Sequence, residues 1–115
     1  IKAILVLGEL THGEKVFTKC SSRHLIAKGG KNLIGPALYC VVGLPAASID
    51  CYAYSKALKA HGKNWSFEEL NAFLLKPKSY IKGTKMAYAG LRKDKDRASV
   101  ILYLNSQSDS PLPKP

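Results

Sequence analysis

Residues 22 to 52 constrain this chain more than any other stretch. They are rich in glycine, proline and lysine, and their apolar residues keep neither a helical nor a strand period. Compact domains seldom carry an unstructured connection longer than about 15 residues. The whole chain has 115 residues, one domain by size, and a chain that short buries only a modest core. A loop of this length counts against its own assignment unless it wraps a cofactor, whose binding would then contribute to folding.

The segments around the loop read as short helices. Thr11-His12-Gly13-Glu14 has the form of a capping box and predicts a helix over 12 to 21, with Val16, Phe17 and Cys20 on one face. A helix over 54 to 61 turns Tyr54, Ala57 and Leu58 inward and stops at Gly62. Ser66-Phe67-Glu68-Glu69 is a second capping box; its helix places Leu70, Phe73 and Leu74 together and ends before Pro77. A last helix starts near Asp94, with Val100, Ile101 and Leu104 apolar and Tyr103 beside them. No segment has a useful strand period. The fold class is all-α, short helices joined by long loops, with the first and last helices crossing near Gly13, where a glycine permits close approach.

Residues 1 to 115 form a single domain, with 1 to 11 as an N-terminal arm and 109 to 115 as a loose C-terminal tail. Residues 1 to 7 are apolar but far shorter than the roughly 20 residues of a membrane span. They read as a first turn packed on the core, or as the remnant of an export signal. A start at Ile1 rather than Met reads as a processed or partial product.

The chemistry centres on Cys20-Ser21-Ser22-Arg23-His24. A Cys-x-x-Cys-His run attaches haem through two sulfurs and ligates its iron through the histidine; here arginine stands at the second cysteine. Met86, the single methionine, lies in Lys82-Gly83-Thr84-Lys85-Met86-Ala87-Tyr88-Ala89-Gly90. Around these come Gly13-Glu14-Lys15-Val16-Phe17, Lys28-Gly29-Gly30-Lys31-Asn32, Gly35-Pro36 with Leu38, Val41-Val42-Gly43, Trp65, Phe73-Leu74, Pro77-Lys78 and Ala89-Gly90-Leu91. In this order and spacing, over roughly residues 12 to 108, the chain resembles a class I cytochrome c of the mitochondrial and alphaproteobacterial type.

The resemblance implies one haem c wrapped by the loops, its iron ligated by His24 and Met86. At most one thioether, through Cys20, would hold it, or the haem would be non-covalent. Pro36 would accept the proton of the histidine's other nitrogen, Tyr54 and Trp65 would hydrogen-bond a haem propionate, and Phe73 and Tyr88 would line the crevice. His12 and His61 have no such context and are expected to be solvated. Besides Arg23, the chain departs from the family at Leu44, where an arginine is usual, and at Ala37, where an asparagine is usual. Cys40 and Cys51 stand where the family normally has glycine; they are either two thiols or a disulfide closing a short loop.

The formal net charge is +10, carried by lysines spread over loops and helix ends. Such charge steers association with acidic surfaces. No arginine-rich run or nucleic-acid motif is present, so nucleic acid is not an expected partner. The resemblance implies an electron carrier between respiratory-chain partners, acidic cytochrome reductase and oxidase, with an anionic membrane surface as a further partner. It implies the periplasm or intermembrane space, and no enzyme activity beyond weak peroxidase turnover if Met86 leaves the iron. No Ser-His-Asp set, zinc spacing or phosphate loop appears. The alternative is a haem-poor or non-functional cytochrome-like module acting through its basic surface.

Overall fold

The computed structural model describes residues 1–49 and 52–115. Six helices occur among them: α1 (Lys2–Leu5), α2 (Leu10–Phe17), α3 (Lys56–His61), α4 (Phe67–Leu75), α5 (Pro77–Tyr80) and α6 (Asp94–Ser106). The only bridge among the described residues pairs Pro45 with Asn64. Backbone bonds from Gly43 N to Trp65 O (2.8 Å), Trp65 N to Leu44 O (2.7 Å) and Ala46 N to Lys63 O (2.8 Å) extend that contact. They fasten the long loop to the approach of α4.

Helix α2 packs across α6 at Gly13. A Cβ there would collide with the Ser99 carbonyl, and Ser99 itself is fully buried. The expected crossing is therefore present, and it sets the two helices as close as backbones allow. Ile101, Ala98 and Val100 of α6 meet Val16 and Phe17 of α2 and Leu70, Phe73 and Leu74 of α4 in one core. Leu5 of α1 joins it, so the arm is a packed turn.

The expected helix over 54 to 61 starts later, at Lys56, because Ser55 caps it by accepting from Leu58 N, so Tyr54 precedes the helix instead of lying on its inner face. Its end at Gly62, with φ 70°, is as expected. Ser66 accepts from Glu69 N at 3.1 Å. The Thr11 box does not form: α2 starts two residues earlier than expected, at Leu10, and Glu9 occupies the N-cap without a side-chain bond. The backbone of Glu9 explains this, because its N–H donates to Ser99 Oγ on α6 and fixes the helix start there. α2 also stops at Phe17, and Cys20 follows in turn structure rather than on the helix face. α5 has no counterpart in the sequence expectations.

The histidine and tail expectations need correction. His12 is bonded to Asp96 Oδ1 at 2.7 Å, and His61 to Glu69 Oε1 at 2.7 Å, its side chain 15% exposed. The tail is docked. Asn105, buried on α6, accepts from Leu112 N and donates to Leu112 O, both at 3.0 Å. Asp109 accepts from Tyr39 Oη at 2.9 Å and from Lys28 Nζ at 3.1 Å, and Cys40 N donates to Gln107 O. Cys40 holds a free thiol, and Cys51 lies outside the described residues, as does the disulfide considered for the pair.

Arg97 is 4% exposed, and its charge is met in full. Nε donates to Asn71 Oδ1, Nη1 to the carbonyls of Leu91 and Arg92, and Nη2 to Asp94. A buried guanidinium needs such partners. Here they tie α4, the segment after the methionine loop, and α6 at one point.

Candidate functional site

The helices and the long loop enclose a cavity of about 490 Å³, within the usual size of a cofactor pocket. Its walls are mainly apolar, with Leu38 and Val41 from the loop, Phe73 and Leu74 from α4, and Val100 and Leu104 from α6. Arg23, Ile34 and Lys85 line it and also face solvent, so they mark its mouth. The cavity explains why a chain this short carries so long a loop: the loop is one of its walls.

His24 enters this cavity from the turn after α2. Its Nδ1 donates to the Pro36 carbonyl at 2.7 Å. That bond assigns the proton to Nδ1 and leaves Nε2 as an unprotonated donor atom. Burial pushes the His24 pKa down; the Pro36 bond opposes this and the Arg23 charge adds to it. The imidazole is thus held neutral, the form that ligates a metal. Gly35 forms the floor under the ring, where a Cβ would overlap its atoms.

Cys20 and Met86 line the same cavity. Burial raises the Cys20 thiol pKa, and the nearby Lys19 charge offsets part of this. Met86 sits in an irregular segment, steadied by its own N–H donating to Thr84 Oγ1 at 3.3 Å. One imidazole nitrogen, one thioether and one thiol therefore converge on one apolar space. No cluster of three or more His, Cys, Asp or Glu that could hold a bare metal ion exists among the described residues.

The remaining candidates divide. Pro36, Tyr54, Trp65 and Phe73 line the cavity. Tyr54 Oη accepts from Ile49 N at 3.2 Å, so its own proton is available to an acceptor. Trp65 packs on Phe73 with ring centroids 5.1 Å apart. Its indole N–H bonds no described residue, which leaves a second donor. Tyr88 is not in this cavity; it lines an adjacent depression with Leu75, Lys76 and Arg92. Two residues to which the resemblance gives no site role also belong to the site: Gly35, and Tyr52, which lines the cavity and donates to Ile34 O at 2.5 Å. At the family's arginine position, Leu44 presents an apolar wall.

No protein-family model matches the chain. Individual proteins do. A cytochrome c homolog of Bradyrhizobium diazoefficiens is 41% identical over 116 residues, covering all of this chain and 63% of its own length. One from Rickettsia bellii is 45% identical over 106 residues and is covered over 61% of its length. This chain thus spans about three-fifths of these two relatives. The cytochrome c of Gibberella zeae is 41% identical over 102 residues, covering 88% of this chain and 96% of that protein. Among solved structures, cytochrome cH from Methylobacterium extorquens superposes with a TM-score of 0.81 at 38% identity, covering 86% of this chain and 99% of its own.

Proposed function

The chain belongs to the cytochrome c family, and from that premise we propose that it is a monohaem electron carrier whose iron is ligated by His24 and Met86. The observation that carries the reading is the His24 imidazole. It is half-buried, proton-assigned by Pro36 and directed into a cavity that Met86 and Cys20 share. The donor set suits the group: a nitrogen and a soft thioether for iron, one sulfur for attachment, and two free donors for carboxylates.

Haem, when bound, supplies an iron that gains and loses one electron. The chain's own residues set the conditions for it. The Pro36 carbonyl, accepting from Nδ1, fixes the tautomer and enriches the electron density at Nε2. Met86 offers a neutral sulfur that favours the reduced metal and raises the potential. The apolar walls keep water out. The Tyr54 hydroxyl and Trp65 indole N–H compensate a buried propionate, a burden increased by Leu44 in place of arginine. Cys20 gives at most one thioether, because Arg23 stands where the second sulfur would be.

The +10 charge directs the protein to acidic redox partners, a cytochrome reductase and an oxidase, in weak and fast encounters. An anionic membrane surface is a further partner, and the periplasm or intermembrane space is the compartment that suits this role. No helix among the described residues is long and apolar enough to cross a membrane.

The test is the visible spectrum and intact mass of protein purified from its own host. The expected result is a haem band, a mass raised by one haem, and a pyridine haemochrome band between those of two-thioether and vinyl-intact haems. A bare polypeptide mass with no haem band would overturn the carrier reading and leave the haem-poor module, which Arg23 at the cavity mouth favours.

A further inference from the structure

The tail displays a ligand for the surface it covers. Past α6 it runs Ser108-Asp109-Ser110-Pro111-Leu112-Pro113-Lys114-Pro115 and folds back over the loop. It is anchored at Asp109 and at Leu112. Asp109 accepts from Lys28 Nζ and Tyr39 Oη, and these bonds hold its carboxyl below the ordinary carboxylate range. Leu112 lies between Asn105 and Gly43. Asn105 is 6% exposed, and its Oδ1 and Nδ2 take the N–H and the carbonyl of Leu112, both at 3.0 Å. A neighbouring strand grips a residue in the same way. The three atoms nearest to a Cβ built on Gly43 all belong to the Leu112 side chain, so the missing side chain leaves the leucine its seat.

The prolines suit the ligand to this seat. Pro111 and Pro113 carry no N–H, so the Leu112 N–H is the sole backbone donor of the three residues. Their fixed φ of about −65° also keeps the segment extended before it binds, which lowers the entropy lost.

We propose that Lys28, Tyr39, Asn105 and Gly43 form a peptide-docking site, held in cis by the tail, which takes in trans a segment of a partner protein carrying an acidic residue, one spacer residue and Pro-Leu-Pro. The inference goes beyond the carrier reading and needs no cofactor. None of the four residues lines the cavity, so a partner held there leaves the mouth, with Arg23 and Lys85, free. An acidic segment is drawn to a chain of net charge +10, whereas a second copy of that charge is repelled. Only residues 106 to 111 tether Leu112 to Asn105, which gives the tail an effective concentration on the order of millimolar. The site therefore ignores dilute peptides and answers to a partner already gathered on the basic surface.

The test uses the full chain carrying Asp109→Ala and Leu112→Ala, which loosens the tail and leaves the four site residues unchanged. The probe is a fluorescein-labelled peptide, Ser-Asp-Ser-Pro-Leu-Pro-Lys-Pro, followed by anisotropy. It should bind this chain about tenfold more tightly than the unmodified chain, in which the tethered tail competes. Changes to the probe keep the protein constant. Methylating the leucine nitrogen removes the proton that Asn105 accepts and should weaken binding about tenfold, as should alanine for the leucine. Alanine for the aspartate should weaken it about threefold. Binding that ignores the N-methyl group or the leucine overturns the site. So does an absence of binding to the loosened chain, or equal binding to both chains. The loosened chain should keep its helical circular dichroism, since both changes lie beyond α6; loss of that signal would make the tail part of the core and overturn the proposal as well. Light scattering of the unmodified chain should give the mass of one chain. A doubled mass that Leu112→Ala abolishes would assign the site to a second copy's tail instead of a partner.

Discussion

Gly35 owes its identity to a neighbour. The space its missing side chain leaves is filled by the His24 ring, and that ring is held by the Pro36 carbonyl one residue on. Gly35→Ala should push the ring off this floor, cost about 1–3 kcal/mol of stability by overpacking, and lower the share of protein that retains haem through gel filtration. Wild-type retention in that variant would refute the steric argument. Cys40 poses the opposite case, since it has φ 63°, a conformation that suits glycine. Cys40→Gly should relieve about 1 kcal/mol and raise the thermal midpoint in a calorimeter. An unchanged or lowered midpoint would show that the surroundings demand the side chain. The ligand candidates His24 and Met86 were legible because their types and flanking residues form a motif. His12 and His61 were not, because their partners Asp96 and Glu69 are set by packing between elements. No local pattern announces such a partner.

Three helices meet at Glu69. It lies on α4, binds His61 at the end of α3, and receives the Tyr80 hydroxyl from α5. Burial alone would raise its pKa and is the largest single influence. The hydrogen bonds from Tyr80 and His61, with the Lys63 charge, outweigh it, and the carboxyl titrates below its ordinary value of 4.5. A group lowered in this way stabilises the fold above its unfolded pKa and loses that contribution as pH falls through its folded pKa. In urea titrations the wild type should therefore exceed Glu69→Gln by about 1 kcal/mol near neutrality, with the gap closing below pH 4.5. A gap that widens in acid would contradict the assignment. At this scale the sequence was readable where one element's own residues decide, as at Ser66 and Gly62. It was misleading at Thr11, whose pattern is sound but whose helix begins earlier because Glu9 is tied to Ser99 on α6. α5 is a single turn started by Pro77, too short to carry a period.

Across the whole molecule, charge and shape act together. A net charge of +10 around a cavity whose mouth carries Arg23 and Lys85 should make docking to an acidic partner strongly salt-dependent. The field is screened beyond about 8 Å at physiological ionic strength. Stopped-flow rates of electron transfer should fall steadily as salt is added, and a flat profile would place the contact elsewhere. The all-α architecture was evident from the loop-rich pattern, yet the seating of the tail was not, because polar residues near a proline-rich end give no sign of what they bind. Asn105 grips both backbone atoms of Leu112, while Gln107 and Asp109 hold Cys40, Tyr39 and Lys28. Tyr39 and Cys40 lie between Leu38 and Val41 of the cavity wall. The wall and the tail are thereby joined into one opening unit. Amide hydrogens of Cys40 and Leu112, remote in sequence, should exchange with deuterium at matched rates, and whatever the crevice holds can escape on this side no faster than the tail lets go.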